Sequence, residues 1–417
     1  MSTKELRRRH SPGIEPMDFS HGSEFVRTLD RRISAFIHRG LDHQDETRFN
    51  ELALLEFELC YRTVPLYRQY CRKINISPST ISCWQQIPAV GRFPFRALLR
   101  RVMPPGEAEQ AYFANTVADI GKKVSKAHGT PEYAALVRAA FDVQARVHLF
   151  SDVKRIKIFA MLPSPGMAPG MVMAVGAKRM IEQFGAPGSR FLISPRGLDL
   201  KGLISALRQA EKAGEPLALI GGTRGFDHFL NACRQQQVSF RLPEGSRICD
   251  SGGYAGRYRE CTSGEYFEKC RTVLGVRAEF CVNALWICGS STVYYDNVLE
   301  NFLAGKDGVR CKNSPPWVRT LVVDPLKFKE VPKGEIGLLR HYDLSNRANA
   351  FAVQFDTLGY ATADGFEIIG KWNRKIGAVD FDHGGEHPGG KLATRLTDFL
   401  MRRKFSRIGR INSAIGD

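Results

Sequence analysis

The chain has 417 residues, 43% of them hydrophobic, and 60 Lys and Arg stand against 43 Asp and Glu for a formal net charge of +17. That length fits two or three domains of ~100–200 residues with a sizeable core, and no run of roughly 18 apolar residues exists to form a membrane span. Residues 1–16 are basic and polar without the apolar stretch of a secretory signal, so the expected compartment is the cytoplasm.

The ten cysteines form no C-x-x-C pair and sit at no zinc-like spacing with histidine, so most read as buried, reduced thiols. The positive excess favours an acidic partner or ligand. Its local clusters at residues 7–9, 122–126 and 402–404 come with no helix-turn-helix, zinc-finger or RNA-binding aromatic signature. They read as solvated surface, and no nucleic-acid function is expected.

Residues 1–23 read as a flexible basic arm. From 24 to 74 apolar residues recur at helical spacing, and Leu52, Leu54, Leu55, Phe57, Leu59 and Cys60 share one apolar face. Pro65 ends that stretch. Residues 87–101, with Pro88 and Pro94, form a connector leading to a short helix.

Beyond residue 112 strand-like and helix-like stretches alternate. Strands are predicted at 156–162, 190–194, 217–220 and 247–250, and helices at 176–184, 200–213 and 226–236. The third strand runs into Gly221-Gly222-Thr223, and the fourth into Ser251-Gly252-Gly253. This alternation predicts an α/β domain with a mainly parallel sheet. Ligands of such sheets bind at the carboxyl ends of strands, where these glycine-rich turns fall. Shorter β-like runs follow at 334–340, 350–354 and 366–369, then a hinge near 370–373, a Gly/His/Asp-rich loop and a basic helix over 391–404.

Several phrases in this order resemble the acyl-protein synthetase (LuxE) family of bacterial fatty-acid reductase complexes, a branch of the adenylate-forming enzymes. They are Pro65-Leu66-Tyr67-Arg68 with Cys71, Ile87-Pro88 and Phe93-Pro94-Phe95-Arg96, and then Leu242-Pro243-Glu244-Gly245-Ser246 leading to Ser251-Gly252-Gly253-Tyr254-Ala255-Gly256. Tyr294-Tyr295-Asp296, Glu335-Ile336-Gly337-Leu338-Leu339 with Asp343, and Leu358-Gly359 with Phe366-Glu367-Ile368-Ile369-Gly370-Lys371 complete the set. The resemblance spans roughly residues 24–371. It implies an α/β adenylate-forming fold, with a large domain over 24–370 and a small mobile domain over 371–417.

That family activates a carboxylate with ATP and Mg²⁺, and three of its nucleotide motifs differ here. The phosphate loop Thr-Ser-Gly-Thr-Thr-Gly matches Thr116-Val117-Ala118-Asp119-Ile120-Gly121, which loses hydroxyls and gains a carboxylate. In the Tyr-Gly-x-Thr-Glu motif, Cys288 stands for Thr and Gly289 for the Mg²⁺-binding Glu. Thr357 stands where the ribose-binding Asp belongs, and Asp356 is one place off, which on a regular strand turns it to the opposite face. The family's acyl-accepting Cys lies past the hinge, whereas no Cys follows Cys311 here.

The resemblance makes Cys288 a candidate nucleophile, if a base or cation lowers its pKa. The plainer reading is a buried cysteine in a tight turn. His128 and His228 are candidate bases, with a surface loop and helix packing as their plainer roles. Gly221, Gly222, Thr223, Gly252, Gly253, Ser290, Ser291, Asp356 and Lys371 are the expected substrate or nucleotide contacts. No metal site is expected, because His383, His387, Asp380, Asp382 and Glu386 lack a regular ligand spacing. No Gly-x-Ser-x-Gly elbow is present.

The expected function is acyl transfer or activation on a carboxylic acid or its acyl thioester, in the manner of an acyltransferase or acid–thiol ligase. Coenzyme A or phosphopantetheine is the implied cofactor class beside ATP and Mg²⁺. The implied partners are an acyl carrier protein, a coenzyme A thioester or an acidic partner enzyme. A divergent ATP-dependent ligase, or a non-catalytic homologue that binds an acyl ligand or partner, is the alternative.

Overall fold

The computed structural model describes residues 18–20, 22–91, 131–168, 171–252, 263–286, 290–346, 351–373, 378–380 and 403–416. The helical spacing at the start of the chain forms α1 (Glu24–His38), α2 (Glu46–Thr63) and α3 (Pro65–Lys73). Ser23 and Asp45 cap the first two by accepting from Val26 N at 3.3 Å and Arg48 N at 2.9 Å. Pro65 opens α3 rather than merely ending α2, since the missing N–H costs nothing in a first turn. A short strand, β1 (Val90–Gly91), follows.

The long helix α4 (Pro131–Phe150) joins two hydrophobic cores. Its Leu136 and Ala140 pack with α1, α2 and the second sheet, while Phe141, Ala145, Leu149 and Phe150 pack under the first sheet.

The first sheet contains β2 (Lys157–Pro163), β3 (Arg190–Ser194), β4 (Gly197–Leu198), β5 (Leu217–Gly222), β6 (Arg247–Ser251), β7 (Cys281–Trp286) and β8 (Val293–Tyr295). Their order is β4-β3-β2-β5-β6-β7-β8, with the five inner strands parallel and the two edges antiparallel. The crossovers carry α5 (Val172–Phe184), α6 (Leu200–Ala213), α7 (Thr223–Gln235) and α8 (Ser263–Leu274). The inner strands read as apolar runs because helices cover them. A short helix, α9 (Val298–Leu303), follows β8.

The second sheet orders β13 (Ala378–Asp380), β12 (Phe366–Asn373), β11 (Ala352–Ala361), β10 (Ile336–Asp343) and β9 (Val318–Val323), all antiparallel, with β1 adding in parallel to β11. β11 bulges: Leu338 pairs with Leu358 and Arg340 with Gln354, so Leu339 alone faces Phe355, Asp356 and Thr357. Lys312 bridges the sheets, pairing with Asp296 after β8 and with Phe366 at the start of β12.

The expected domain boundary at Lys371 falls inside β12, as do residues 370–373. Residues 391–402 of the expected basic helix, and residues 1–17 of the expected arm, lie outside the described residues. The last helix described is α10 (Ile408–Gly416). It rests on α6 and the end of α7: Ile408 and Phe405 join the first core, Arg208 Nε donates to Asn412 Oδ1 at 2.9 Å, and Gln236 Nε2 donates to the Phe405 carbonyl at 2.9 Å. Among the described residues, no helix is long and apolar enough to cross a membrane.

Candidate functional site

Parallel register brings the carboxyl ends of β5, β6 and β7 side by side. Gly221 pairs with Asp250, Gly222 with Ser251, and Asp250 with Asn283. At Gly221 a Cβ would meet the Phe226 ring at 3.1 Å and Met161 Cβ at 3.2 Å, so glycine lets helix and strand pack closely there. The chain then turns at once into α7, whose first residue is Thr223.

Three polar side chains meet on this edge. Thr223 Oγ1 donates to Asp250 Oδ2 at 2.5 Å. Asn283 Nδ2 donates to the same oxygen at 2.9 Å and to the Gly252 carbonyl at 3.0 Å. Burial raises the Asp250 carboxyl to about 6, against the lowering effect of the Thr223 and Asn283 hydrogen bonds. A carboxyl in that range, bonded to a hydroxyl, is a proton acceptor near neutral pH.

A buried ammonium fixes the Asn283 amide. Lys312 Nζ donates to Asn283 Oδ1 at 2.7 Å, to the Asn283 carbonyl at 2.8 Å and to Asp296 Oδ1 at 2.8 Å. With Oδ1 held by Lys312, Nδ2 is directed to Asp250 and Gly252. Arg310 Nη1 donates to Asp296 Oδ2 at 2.7 Å and to the Cys281 carbonyl at 2.8 Å. Burial pushes the Asp296 carboxyl up, but Lys312 and Arg310 outweigh it and hold the group below its ordinary value. Glu367, at the start of β12, moves the other way: burial, helped by the Asp296 charge, raises it to about 7.

A second cluster lies between β7 and the second sheet. Asp343 Oδ2 accepts from Ser290 Oγ and Thr292 N, both at 3.2 Å, and Oδ1 accepts from Ser345 Oγ at 2.6 Å and Ser345 N at 2.9 Å. Ser291 Oγ donates to Asn346 Oδ1 at 2.9 Å and lies 2.6 Å from the Tyr133 hydroxyl on α4. Burial raises the Asp343 carboxyl. It also raises Glu56 on α2 well above the carboxylate range, with the Asp343 charge adding to the effect.

The structure therefore gathers Gly221, Gly222, Thr223 and Gly252 on one edge, while Ser290 and Ser291 are tied to the second sheet. His228 is buried on α7, five residues past Thr223 and so roughly 140° around a helix of 3.6 residues per turn. Asp356 and Thr357 sit in the β11 bulge, both half-buried, and the strict alternation assumed for them does not hold there. Cys288, His128, Gly253 and the Lys371 side chain lie outside the described residues, although the Lys371 backbone pairs with Thr357.

Asp250, Asn283 and Lys312 were not among the expected contacts. The one signal for Asn283 was an amide inside the apolar run Phe280-Cys281-Val282-Asn283-Ala284-Leu285. Among the described residues, no three His, Cys, Asp or Glu side chains group to hold a metal. The eight described cysteines are free thiols, and six are buried.

Among solved structures, the chain resembles 2-hydroxyisobutyryl-CoA ligase (HCL) in the postadenylation state in complex with 2-HIB-AMP. That match has a TM-score of 0.55 and 14% identity, covering 80% of this chain and 70% of the ligase. An open conformation of the same ligase, in complex with 2-HIB-AMP and CoA, matches with a TM-score of 0.54 and 13% identity, covering 81% and 72%. These likenesses give the chain the adenylate-forming fold expected from its motifs. No curated protein sequence matches it. Residues 38–371 match the family described as acyl-protein synthetase, LuxE, and the chain belongs to that family.

Proposed function

We propose that this chain handles acyl groups at the carboxyl edge of its first sheet. It takes an acyl thioester of coenzyme A or of a carrier protein's phosphopantetheine and transfers the acyl group without ordinary ATP-dependent adenylation. The observation that carries this reading is the Thr223–Asp250–Asn283 cluster, a hydroxyl and a carboxyl with a raised pKa held together at the ends of β5, β6 and β7. Family membership supports acyl chemistry in general. The fold likeness to a ligase solved with an acyl adenylate and CoA supports an acyl group and a thiol as ligands. The charge of +17 supports an acidic thiol carrier.

The residues do not fit a magnesium nucleotide well. Thr357 offers no carboxylate to a ribose, and Gly289 none to a cation. One observation favours a second reading, a divergent ATP-dependent ligase. The bulge frees Asp356 from strand alternation, so its carboxylate is not bound to the face that parity assigns.

Thiol release from octanoyl-CoA, set beside octanoate-dependent pyrophosphate exchange with ATP and Mg²⁺, separates the two readings. Thiol release without exchange is expected. Exchange that depends on the acid would overturn the proposal and restore the ligase. Neither activity, with octanoyl-CoA still bound, would leave a non-catalytic acyl-binding homologue.

A further inference from the structure

We infer that Thr223 is the acyl-accepting nucleophile of this chain, with Asp250 as its base. The inference rests on the acyl-transfer reading above and goes beyond it by assigning the covalent step to a hydroxyl.

The Thr223 hydroxyl donates its hydrogen to Asp250 Oδ2 at 2.5 Å, which turns the oxygen lone pairs away from the carboxylate. Asp250 is itself held by Asn283, whose amide orientation is set by Lys312. The hydroxyl and its base are thus positioned before any substrate arrives.

The space beside the hydroxyl is kept clear by glycine. A Cβ on Gly252 would stand 3.1 Å from Thr223 Oγ1, and Gly252 adopts φ +129°, which a side chain would strain. A Cβ on Gly222, the residue just before Thr223, would meet nothing closer than the Ser251 carbonyl at 3.9 Å.

The local sequence has the matching form. Gly221-Gly222-Thr223-Arg224-Gly225 turns from β5 into α7 with the spacing Gly-x-nucleophile-x-Gly, threonine taking the place of serine. Thr223 is not in the left-handed region, so the turn lacks the strain of the hydrolase elbow. Among the described residues, the thiol nearest in sequence to this edge is Cys249. Burial pushes its pKa up, which disfavours the thiolate.

Thr223 Oγ attacks the thioester carbonyl carbon and passes its proton to Asp250. The tetrahedral intermediate collapses, the C–S bond breaks, and the departing thiolate takes the proton from Asp250. The products are an acyl ester on Thr223 and a free thiol. A second nucleophile then receives the acyl group from the ester.

Intact-protein mass spectrometry after incubation with octanoyl-CoA tests this. The expected result is a single octanoyl adduct that maps to Thr223, resists neutral hydroxylamine as an oxygen ester does, and is lost in Thr223→Val. Thr223→Ser keeps the adduct and serves as the folding control. Asp250→Asn slows acylation by about 10²-fold or more, the span of a general base, and removes the rise in rate through pH of about 6. An adduct that survives in Thr223→Val, or that neutral hydroxylamine cleaves, overturns the assignment. Free thiol released at the parent rate by Thr223→Val overturns it too, while leaving acyl transfer standing. A parent that neither forms an adduct nor releases thiol overturns both.

Discussion

Ser290 Oγ, between β7 and β8 of the first sheet, donates at 3.2 Å to Asp343 Oδ2 at the end of β10 in the second sheet. One buried carboxyl thereby joins the two sheets, because it also accepts from Thr292 N and from both donors of Ser345. Ser291 and Asn346 repeat the link one residue on from Ser290. Ser290 and Ser291 are therefore both anchored to the second sheet.

Asp343→Ala strands these buried donors, and a hydrogen bond to a charged group contributes about 1.5–3 kcal/mol. The expected loss is about 3 kcal/mol in urea unfolding, with a smaller loss in Asp343→Asn, which keeps one acceptor oxygen. A loss below about 0.5 kcal/mol, the range of an ordinary surface change, would mean that Asp343 is not holding the two sheets together.

Lys312→Met tests the next layer. The ammonium makes three hydrogen bonds, two to Asn283 and one to Asp296, and is almost wholly buried. Methionine keeps most of the volume and leaves a buried carboxylate paired with Arg310 alone. Breaking a buried pair from one side costs about 3–5 kcal/mol, and the remaining Arg310 partner favours the lower end. The Asn283 amide also loses its fixed orientation. Lys312→Met should therefore reduce octanoyl transfer more than Lys157→Met, which breaks an exposed pair with Glu215. Equal activities would remove Lys312 from the positioning of the site.

Much of the fold was legible because its elements bury one face each. α6 and the strands β2, β3, β5 and β6 match the hydrophobic periods within a residue or two, and α2 contains the apolar face expected at residues 52–60. α4 was not foreseen, since Leu136 and Ala140 face one core and Phe141, Ala145 and Leu149 the other, which leaves no single apolar stripe. α7 starts at Thr223 rather than Phe226 because Gly221-Gly222-Thr223-Arg224-Gly225 has the composition of a loop. The glycine turns of the site were readable as turns. Asp250, Asn283 and Lys312 were not, because only the strand order β5-β6-β7 brings residues from distant parts of the chain to one edge. The β11 bulge was also beyond reach, since nothing local in Phe355-Asp356-Thr357 marks it.

Gly176 on α5 reports on the end of β7. A Cβ there would lie 3.0 Å from Trp286 Cζ2 and 3.4 Å from Phe141 Cε2. Gly176→Ala should be nearly neutral, because the tight contact is offset by the ~1 kcal/mol gain in helix propensity. Gly176→Val adds two more methyls to a filled space and should cost about 1–3 kcal/mol, with a shift in Trp286 fluorescence. Val tolerated at full stability with unchanged emission would mean that α5 does not press on Trp286.

Two buried groups make stability depend on pH with opposite sign. Glu367 is raised by burial and by Asp296 to about 7, above its ordinary 4.5. A group raised in the fold contributes stability that is fully present below its unfolded value and is lost as pH rises through the folded one. Glu367 should therefore cost the protein stability between about pH 4.5 and 7. His341 is enclosed by Tyr294 and Thr320, whose hydroxyls lie 3.0 and 2.9 Å from Nδ1. Burial lowers it to about 3 from 6.5. Its contribution is present above the unfolded value and lost as pH falls toward the folded one. Urea unfolding of the parent, Glu367→Gln and His341→Asn at several pH values isolates each effect. The stability of Glu367→Gln relative to the parent should rise from pH 4.5 to 7, since the variant has no carboxyl to ionise. The stability of His341→Asn relative to the parent should rise as pH falls below 6.5, since the variant has no buried imidazole to protonate. A flat difference for Glu367→Gln would mean that the carboxyl meets water in the fold and that burial does not raise it. A flat difference for His341→Asn would mean that the imidazole already meets water in the fold.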